Sequence, residues 1–372
     1  MTPAAAIVDC TEDWLEKRPG DNTRIEWLLV LARAHGMRAD VLGYQEGCSE
    51  KTGSCRQCWA REEVYRRGLQ QGEAMRRRFG GLTRKVGGRI QWTGEIRVLS
   101  ERLAGAVRRK HPTFWFPASR SDVFHEKAEA RTVAQLLAVA AARPDHRMIL
   151  LTKRWERAAD LLVSEELQDL VAEALAELAP GRPMPSGWPL ANVIVGCSVG
   201  NQAEADAAGE SMSRIATMQA TSRIATMQAT SRVARSGWAT CASAEPMRGP
   251  IDFSGWEFLR FLIVGGMTGG IASEPLHPLW VEGALGWARV NGVPAFFKQW
   301  GDWAMQPETG TPVWLAADGR CFDDVSAAAD SRRDGPAALC RLFRVGKVKA
   351  GRRLPDGRVV LQVPILGQVR HG

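Results

Sequence analysis

Apolar positions along the chain fall into two alternating patterns, short dense runs rich in Val, Ile, Phe and Trp and longer stretches with helical spacing. Runs of the first kind read as strands at Arg89 to Arg97, Thr113 to Pro117, Met148 to Thr152, Asn192 to Val199, Trp238 to Ala242, Phe261 to Gly265 and Ala295 to Lys298. Between them, Glu126 to Ala142, Trp155 to Leu162, Glu165 to Leu178 and Leu279 to Asn291 read as helices. Antiparallel strands do not need crossovers this long, so the pattern predicts a parallel sheet. The expected fold class is α/β, a partial or complete β/α (TIM-like) barrel with inserted and terminal extensions. Residues 1–44 are expected as an N-terminal extension, 45–303 as the barrel and 304–372 as a C-terminal extension. Ile25 to Ala34 reads as a short helix or strand and residues 60–79 as one solvated helix. In the tail, Pro355-Asp356-Gly357 ahead of Arg358 to Val363 predicts a hairpin.

Polar residue types follow several strand candidates. Ser121, Asp122, His125 and Glu126 come after the second, Lys153 and Arg154 after the third, and Cys197, Ser198 and Asn201 after the fourth. Ser243 and Glu245 follow the fifth, Gly265 and Gly266 the sixth, and Lys298, Gln299 and Trp300 the last. In a parallel barrel these strand ends open onto one mouth, where active sites of that architecture are built. Ser213 to Thr221 repeats as Ser222 to Thr230, and a fragment continues to Ala234. Nine helical residues turn by about 900°, which puts equivalent side chains on opposite faces, so a duplicated surface insertion at 213–234 is expected.

Composition narrows the class further. With 45% hydrophobic residues, 24% charged residues and 19 prolines, the chain is that of a globular protein. No apolar run approaches the roughly 18 to 20 residues of a membrane span, so no membrane association is expected. The start, Met1 to Ala6, lacks a basic segment leading into an apolar one, and the expected compartment is the cytoplasm. A net charge of +8 suits an anionic partner such as a nucleic acid or nucleotide. The basic residues crowd into Arg61 to Lys85 and Arg344 to Arg358, runs that also arise as plain solvated faces.

Without a secretory signal, the eight cysteines read as reduced thiols. Cys48, Cys55 and Cys58 form a C-x6-C-x2-C cluster on a Gly-containing loop at 47–60. Three readings compete. The thiolates anchor a 4Fe-4S cluster with one iron left open; or they hold zinc with a fourth ligand such as Cys10 or His35; or they are free thiols.

The block Gly47-Cys48-x6-Cys55-x2-Cys58-Trp59-Ala60 resembles the three-cysteine motif of a family of phage- and prophage-encoded proteins of unknown function, itself similar to the radical S-adenosylmethionine superfamily. Further matches follow in order. They are Ser121-Asp122-x-Phe124-His125-Glu126, Leu151-Thr152-Lys153-Arg154, Asn192-Val193-x-x-Gly196-x-Ser198-Val199, Ser243 to Asp252, Val264-Gly265-Gly266, His277-Pro278-x-Trp280 and Gly292 to Gly301. The resemblance implies a β/α barrel with a cluster-binding loop, a 4Fe-4S cluster, S-adenosylmethionine as cofactor and radical chemistry. There are departures. Met267 stands where the family has a glutamate after Val-Gly-Gly, and Ile271 to Glu274 replaces an expected arginine. Trp59 replaces a tyrosine, and Ile25-Glu26-Trp27 lies twenty residues ahead of Cys48 instead of close to it. These departures imply a divergent copy, either altered in cofactor handling or inactive.

The remaining candidates have two readings each. His125 reads as a proton shuttle or substrate contact, or Ser121 or Asp122 is the N-cap of a helix with Glu126 in its first turn. Lys153 and Arg154 read as a clamp on a carboxylate or phosphate, or as surface ion pairs. Glu245 reads as the functional carboxylate at the mouth, or as a structural partner of Lys153, Arg154 or Lys298. Lys298 reads as a ligand contact or a barrel-closing ion pair. Gly265 and Gly266 allow close approach of a cofactor, and Ser198 completes the mouth. Two functions follow, a radical-type enzyme with Glu245, Lys298 and His125 in the chemistry, or a zinc-binding or metal-free module that binds nucleic acid or a partner protein.

Overall fold

The computed structural model describes residues 6–218, 237–306, 310–324 and 339–365. Its centre is a seven-stranded, wholly parallel sheet of β1 (Arg38–Leu42), β2 (Thr113–Pro117), β3 (Arg147–Thr152), β4 (Val193–Ser198), β5 (Ala239–Ala244), β6 (Phe261–Val264) and β7 (Ala295–Phe297). The strands lie side by side in chain order, with β1 and β7 as the two edges, so the barrel is partial.

Both faces of the sheet are buried, which is why the strands read as nearly continuous apolar runs. Along β3, Met148 and Leu150 face one side and Ile149 the other; Val193, Val195 and Ile194 of β4 repeat the alternation. The outer side is covered by crossover helices, which have their own buried residues in the same cluster. The concave side is filled by the helix α1 (Glu26–Ala34), whose Trp27 to Ala32 are all buried, together with Leu361 and Val363. Trp27 meets Phe116 edge-on at 5.2 Å, while His35 packs near Phe114 at 6.0 Å. Helix α1 therefore runs antiparallel to the strands, with Glu26 toward their C-terminal ends.

Several expectations change. Strand β1 was missed because an edge strand carries Arg38 and Asp40, the latter paired with Arg109 at 3.0 Å; it lies inside the stretch expected as an N-terminal extension. Arg89 to Arg97 is not a strand of the parallel sheet. The Gly87-Gly88 turn, with φ of 55° and 79°, folds Arg89–Trp92 back on Thr83–Val86 as a hairpin, and Arg97–Val98 pairs with Gln45–Glu46. The solvated helix at 60–79 is two, α2 (Trp59–Gly68) and α3 (Glu73–Phe79), broken at Gly72 with φ 113°. The tail hairpin is also absent: after the turn closed by Leu354 N–H to Arg358 O (2.8 Å), the strand Gln362–Ile365 pairs antiparallel with Ala6–Asp9 instead. Burial of Leu361 and Val363 in the concave core directs that choice. Among the described residues of the C-terminal part, Trp303–Ala304, Leu339–Arg344, Pro312–Ala316 and Cys321–Phe322 form a four-stranded antiparallel sheet.

Beyond α3 the longer helices are α4 (Ala130–Ala142), α5 (Trp155–Leu162), α6 (Glu165–Leu178), α7 (Gln202–Thr217) and α8 (Pro278–Val290). The first repeat copy begins inside α7; the remainder of the duplication to residue 234 lies outside the described residues, apart from Met218. No helix among the described residues is long and apolar enough to cross a membrane.

Candidate functional site

The cysteine loop is laid across the C-terminal ends of β2, β3 and β4. At its entry Gly47, with φ 88°, bridges to Ser121 beyond β2, and Ser121 Oγ donates to the Gly47 carbonyl. Glu46 just ahead of it is fully buried between Arg78 and Arg120, which fastens the loop to the turn after β2.

Arg154, beyond β3, is the central anchor. Its Nε donates to Glu126 at 2.7 Å, one terminal nitrogen to Asp122 (3.2 Å) and Cys48 Sγ (3.7 Å), and the other to Ser49 Oγ (2.7 Å) and the Ser49 carbonyl (3.3 Å). Burial opposes its charge, but Asp122, Cys48 and Glu126 outweigh that and hold it above the ordinary guanidinium range. A guanidinium engaged this fully is neither a free ligand clamp nor a surface ion pair. Asp122 in turn accepts from Thr152 Oγ1 (2.8 Å), Lys153 N (3.0 Å) and Phe124 N (3.0 Å). That set makes an Asx turn rather than the expected helix cap; α4 starts only at Ala130, with Glu129 before it.

His125 is buried, and its Nδ1 accepts from Lys127 N at 3.2 Å, so the ring proton is on Nε2 and is donated to Ser49 Oγ at 2.9 Å. Burial, then the neighbouring Arg154, holds its pKa below the usual histidine value, so the ring is neutral near pH 7.

The far end of the loop is held by Glu204, which sequence reasoning missed. It accepts from Ser54 N (3.2 Å), Ser54 Oγ (2.9 Å) and Gly200 N (2.8 Å). Although burial raises its pKa, Lys153 and these donors bring it below the ordinary carboxylate range. The only sequence signal for it was its position three residues after the Asn201 cap of α7, whose side chain accepts from Glu204 N.

The thiols themselves lie within electrostatic reach of one another. Cys48 and Cys58 pack against the same small core of Ala60, Val64, Phe79, Leu82 and Trp92. Burial pushes the Cys48 thiol up to about 12, with Cys58 and Cys55 adding to the rise; Cys58 is raised by burial as well and by Cys55. Each sulfur has a donor: Arg154 at Cys48, Lys51 N at Cys55 (3.5 Å), and the Ala60 and Arg61 amides at Cys58. Among the described residues no group of three or more His, Cys, Asp or Glu side chains, Cys48, Cys55 and Cys58 included, stands close enough together to hold a metal ion. Cys10 and His35 do not supply a fourth ligand. Cys10 lies against the concave core beside Leu361, and His35 is at the opposite end of the sheet with Nε2 on the Pro364 carbonyl at 3.2 Å.

Glu245 and Lys298, from the ends of β5 and β7, form an ion pair at the same end of the sheet, both about one-fifth exposed. They flank Gly265, where an added Cβ would be 3.3 Å from Lys298 Cβ and 3.4 Å from Glu245 Cγ. A Cβ on Gly266 would strike the Trp300 carbonyl. Lys153 Nζ reaches the Ser198 carbonyl at 3.3 Å. The loop and this pair are linked through Gly200, Pro246 and Arg248: a Cβ on Gly200 would be 3.0 Å from the Pro246 carbonyl, and one on Gly53 3.7 Å from Arg248. Met267 is buried, its Sδ accepting from Glu274 N at 3.4 Å, while Glu274 holds Arg248 by two bonds of 2.7 Å.

No curated protein matches the chain. Among solved structures it is similar to spore photoproduct lyase with bound AdoMet and dinucleoside spore photoproduct, at 10% identity over 67% of this chain and 66% of that one, TM-score 0.31. It is also similar to spore photoproduct lyase complexed with dinucleoside spore photoproduct, at 11% identity over 72% and 70%, TM-score 0.31. The chain thus spans just under two-thirds of the first of these, and superposition this loose carries no residue correspondences. Residues 39–364 match the family described as "Protein of unknown function (DUF5131)", and with most of its length inside that match the chain belongs to this family.

Proposed function

We propose that the chain is an iron–sulfur enzyme of the radical S-adenosylmethionine type, with Cys48, Cys55 and Cys58 as the ligands of a 4Fe-4S cluster. The observation that carries this reading is the anchoring of one loop's three thiols, each with an N–H donor, over the C-terminal ends of a parallel sheet. Hydrogen bonds to sulfur stabilise the thiolate form that iron requires. A loop that offers three sulfurs and no protein-derived fourth fits a cluster with an open iron better than a closed structural zinc site. When bound, such a cluster supplies a single electron to a sulfonium ligand.

This chain's own residues do the rest. Glu245 and Lys298 present opposite charges side by side, and a zwitterion such as the methionine moiety of S-adenosylmethionine replaces their mutual pair, ammonium on Glu245 and carboxylate on Lys298. Gly265 leaves room for the Glu245 and Lys298 side chains to meet over it, and Gly266 lets the Trp300 carbonyl pack against the same strand end. Glu245 thereby supplies the carboxylate that Met267 does not. Lys153, with Ser198 and Glu204 beside it, adds positive charge toward the loop, and Arg154 positions the loop. His125 holds Ser49, next to Cys48, through its Nε2 proton. The substrate class that the charge balance favours is a nucleotide or nucleic acid; the phage and prophage resemblance agrees with it.

Anaerobic reconstitution with iron and sulfide tests the proposal. Broad visible absorption, with about four irons per chain and lost in Cys55→Ala, is expected. One tightly held zinc per chain and no iron-dependent colour overturns it.

A further inference from the structure

Residues 56–97, inserted between β1 and β2, carry eleven Lys and Arg against four Asp and Glu, a net +7 of the chain's +8. The rest of the chain sums to +1, with its own basic run at Arg344 to Arg358, so the unit 56–97 holds the larger of the two basic concentrations. Some of its charge is internal: Arg61 pairs with Glu50, Arg66 and Arg67 with Glu63, and Arg78 with Glu46. Arg56, Arg76, Arg77, Arg84, Lys85 and Arg89 are different. All six are exposed, and none has an ion pair among the described residues.

The hairpin register arranges part of this set. Pairing of Lys85 with Ile90 and Thr83 with Trp92 turns those positions toward the insert's core, where Trp92 is buried; Arg84, Val86, Gln91 and Arg89 fall on the opposite face. Two guanidiniums thus share one outward face of a short ribbon. The same unit offers Trp59, 60% exposed, directly after Cys58. Exposed cations together with an accessible indole are the two parts of a single-strand surface, one for phosphates and one for stacking a base. An anionic membrane fits less well, because the exposed large apolar side chains here are only Trp59, Leu69 and Val86, from α2, its C-cap and the hairpin, and no one helix carries an apolar face of the kind that lies in a membrane surface.

The insert is also continuous with the cysteine loop, since Cys48 and Cys58 pack on its core. We propose that residues 56–97 form a docking surface for a single-stranded nucleic acid, whose phosphates lie along Arg76, Arg77, Arg84, Arg89 and Arg56 and lead a base onto Trp59 beside the cysteine loop. This deepens the functional reading above by naming its substrate class, but the binding step needs no metal.

Fluorescence anisotropy with a labelled DNA strand of about 20 nucleotides, long enough for the usual site sizes, tests it. Five phosphate contacts give a plot of log K against log salt with a slope of about −3.5. Arg84→Glu with Arg89→Glu is expected to weaken binding more than tenfold and flatten the slope, and Trp59→Ala to weaken it about tenfold at unchanged slope. Cys55→Ser is expected to bind as the unaltered protein does, so loss of the metal centre and loss of docking are separable. Tighter binding to duplex DNA of the same length, binding to phosphatidylserine vesicles in place of the strand, or full retention of binding in the double variant overturns the proposal. Circular dichroism of each variant confirms that the fold is kept.

Discussion

At the scale of single residues, Arg154 bears the greatest number of distinct contacts near the cysteines, and its surroundings decide what its removal does. Its side chain is 2% exposed and engages Asp122, Glu126, Ser49 and Cys48. Breaking a buried charge pair by deleting one partner typically costs about 3–5 kcal/mol, because the other charge stays behind. Asp122 keeps Thr152 and two backbone amides, so the lower end applies. We expect Arg154→Ala to lose about 3 kcal/mol in urea unfolding and to take up less iron on reconstitution. Arg154→Lys keeps a charge but not the planar fork, and should recover stability only in part. Wild-type iron uptake in Arg154→Ala would show that the loop is positioned by other means. Sequence alone left Lys153 and Arg154 as either a ligand clamp or surface ion pairs; the pattern could not show that Asp122, thirty-two positions earlier, turns one of them inward.

Among the elements, the junction of α4 with β3 offers a pH test. His146, wholly buried, accepts from Thr113 N at 3.3 Å on Nδ1 and donates from Nε2 to the Ala106 carbonyl at 3.1 Å. Burial, then Arg143, lowers its pKa to about 4. The folded pKa lies below the unfolded one, so as pH falls from 6.5 toward 4 the unfolded chain takes up a proton that the native ring refuses, and stability declines across that window. The full shift corresponds to something on the order of 3 kcal/mol. Urea midpoints at pH 7 and pH 4.5 should diverge in the parent protein and diverge less in His146→Gln; equal divergence would remove His146 from the account. This histidine carried no signal in the sequence, because its partners are backbone groups from two other segments. By contrast, β2 to β7, α5 and α6 were legible to within two residues, since strands buried on both faces and helices with one apolar stripe print their period directly. Strand β1 and the hairpin at 83–92 were not. An edge strand with Arg38 and Asp40 has no such period, and the hairpin's pairing depends on a glycine turn whose partner strand is itself basic.

For the molecule as a whole, the open partial barrel needs something to fill its concave face, and the chain supplies it from both ends. Helix α1 enters from the N-terminal part, and residues 360–365 arrive from the C-terminal part to line β7, with Phe297 N–H donating to the Val360 carbonyl at 2.8 Å. Glu26 at the head of α1 meets Arg352, in the segment that leads into residues 360–365, at 3.1 Å, which ties the two fillers together near the strand ends. The Ile25-Glu26-Trp27 segment, distant from Cys48 in sequence, is thereby carried toward the end of the sheet that holds the cysteine loop. If the concave core is one cooperative unit, trimming its C-terminal contribution must weaken the entire fold. Leu361, 2% exposed, packs with Phe296 and Ile263 as well as α1, and Leu361→Ala is expected to cost about 2–4 kcal/mol by the usual range for buried leucines. Val290→Ala at the end of α8, where the side chain is 81% exposed, should change stability by less than about 0.5 kcal/mol. Both variants unfolding in one transition, with only the Leu361 midpoint displaced, is the outcome required of a single core. A separate early transition in Leu361→Ala would mean instead that the terminal segment is an independent flap over a sheet able to stand without it.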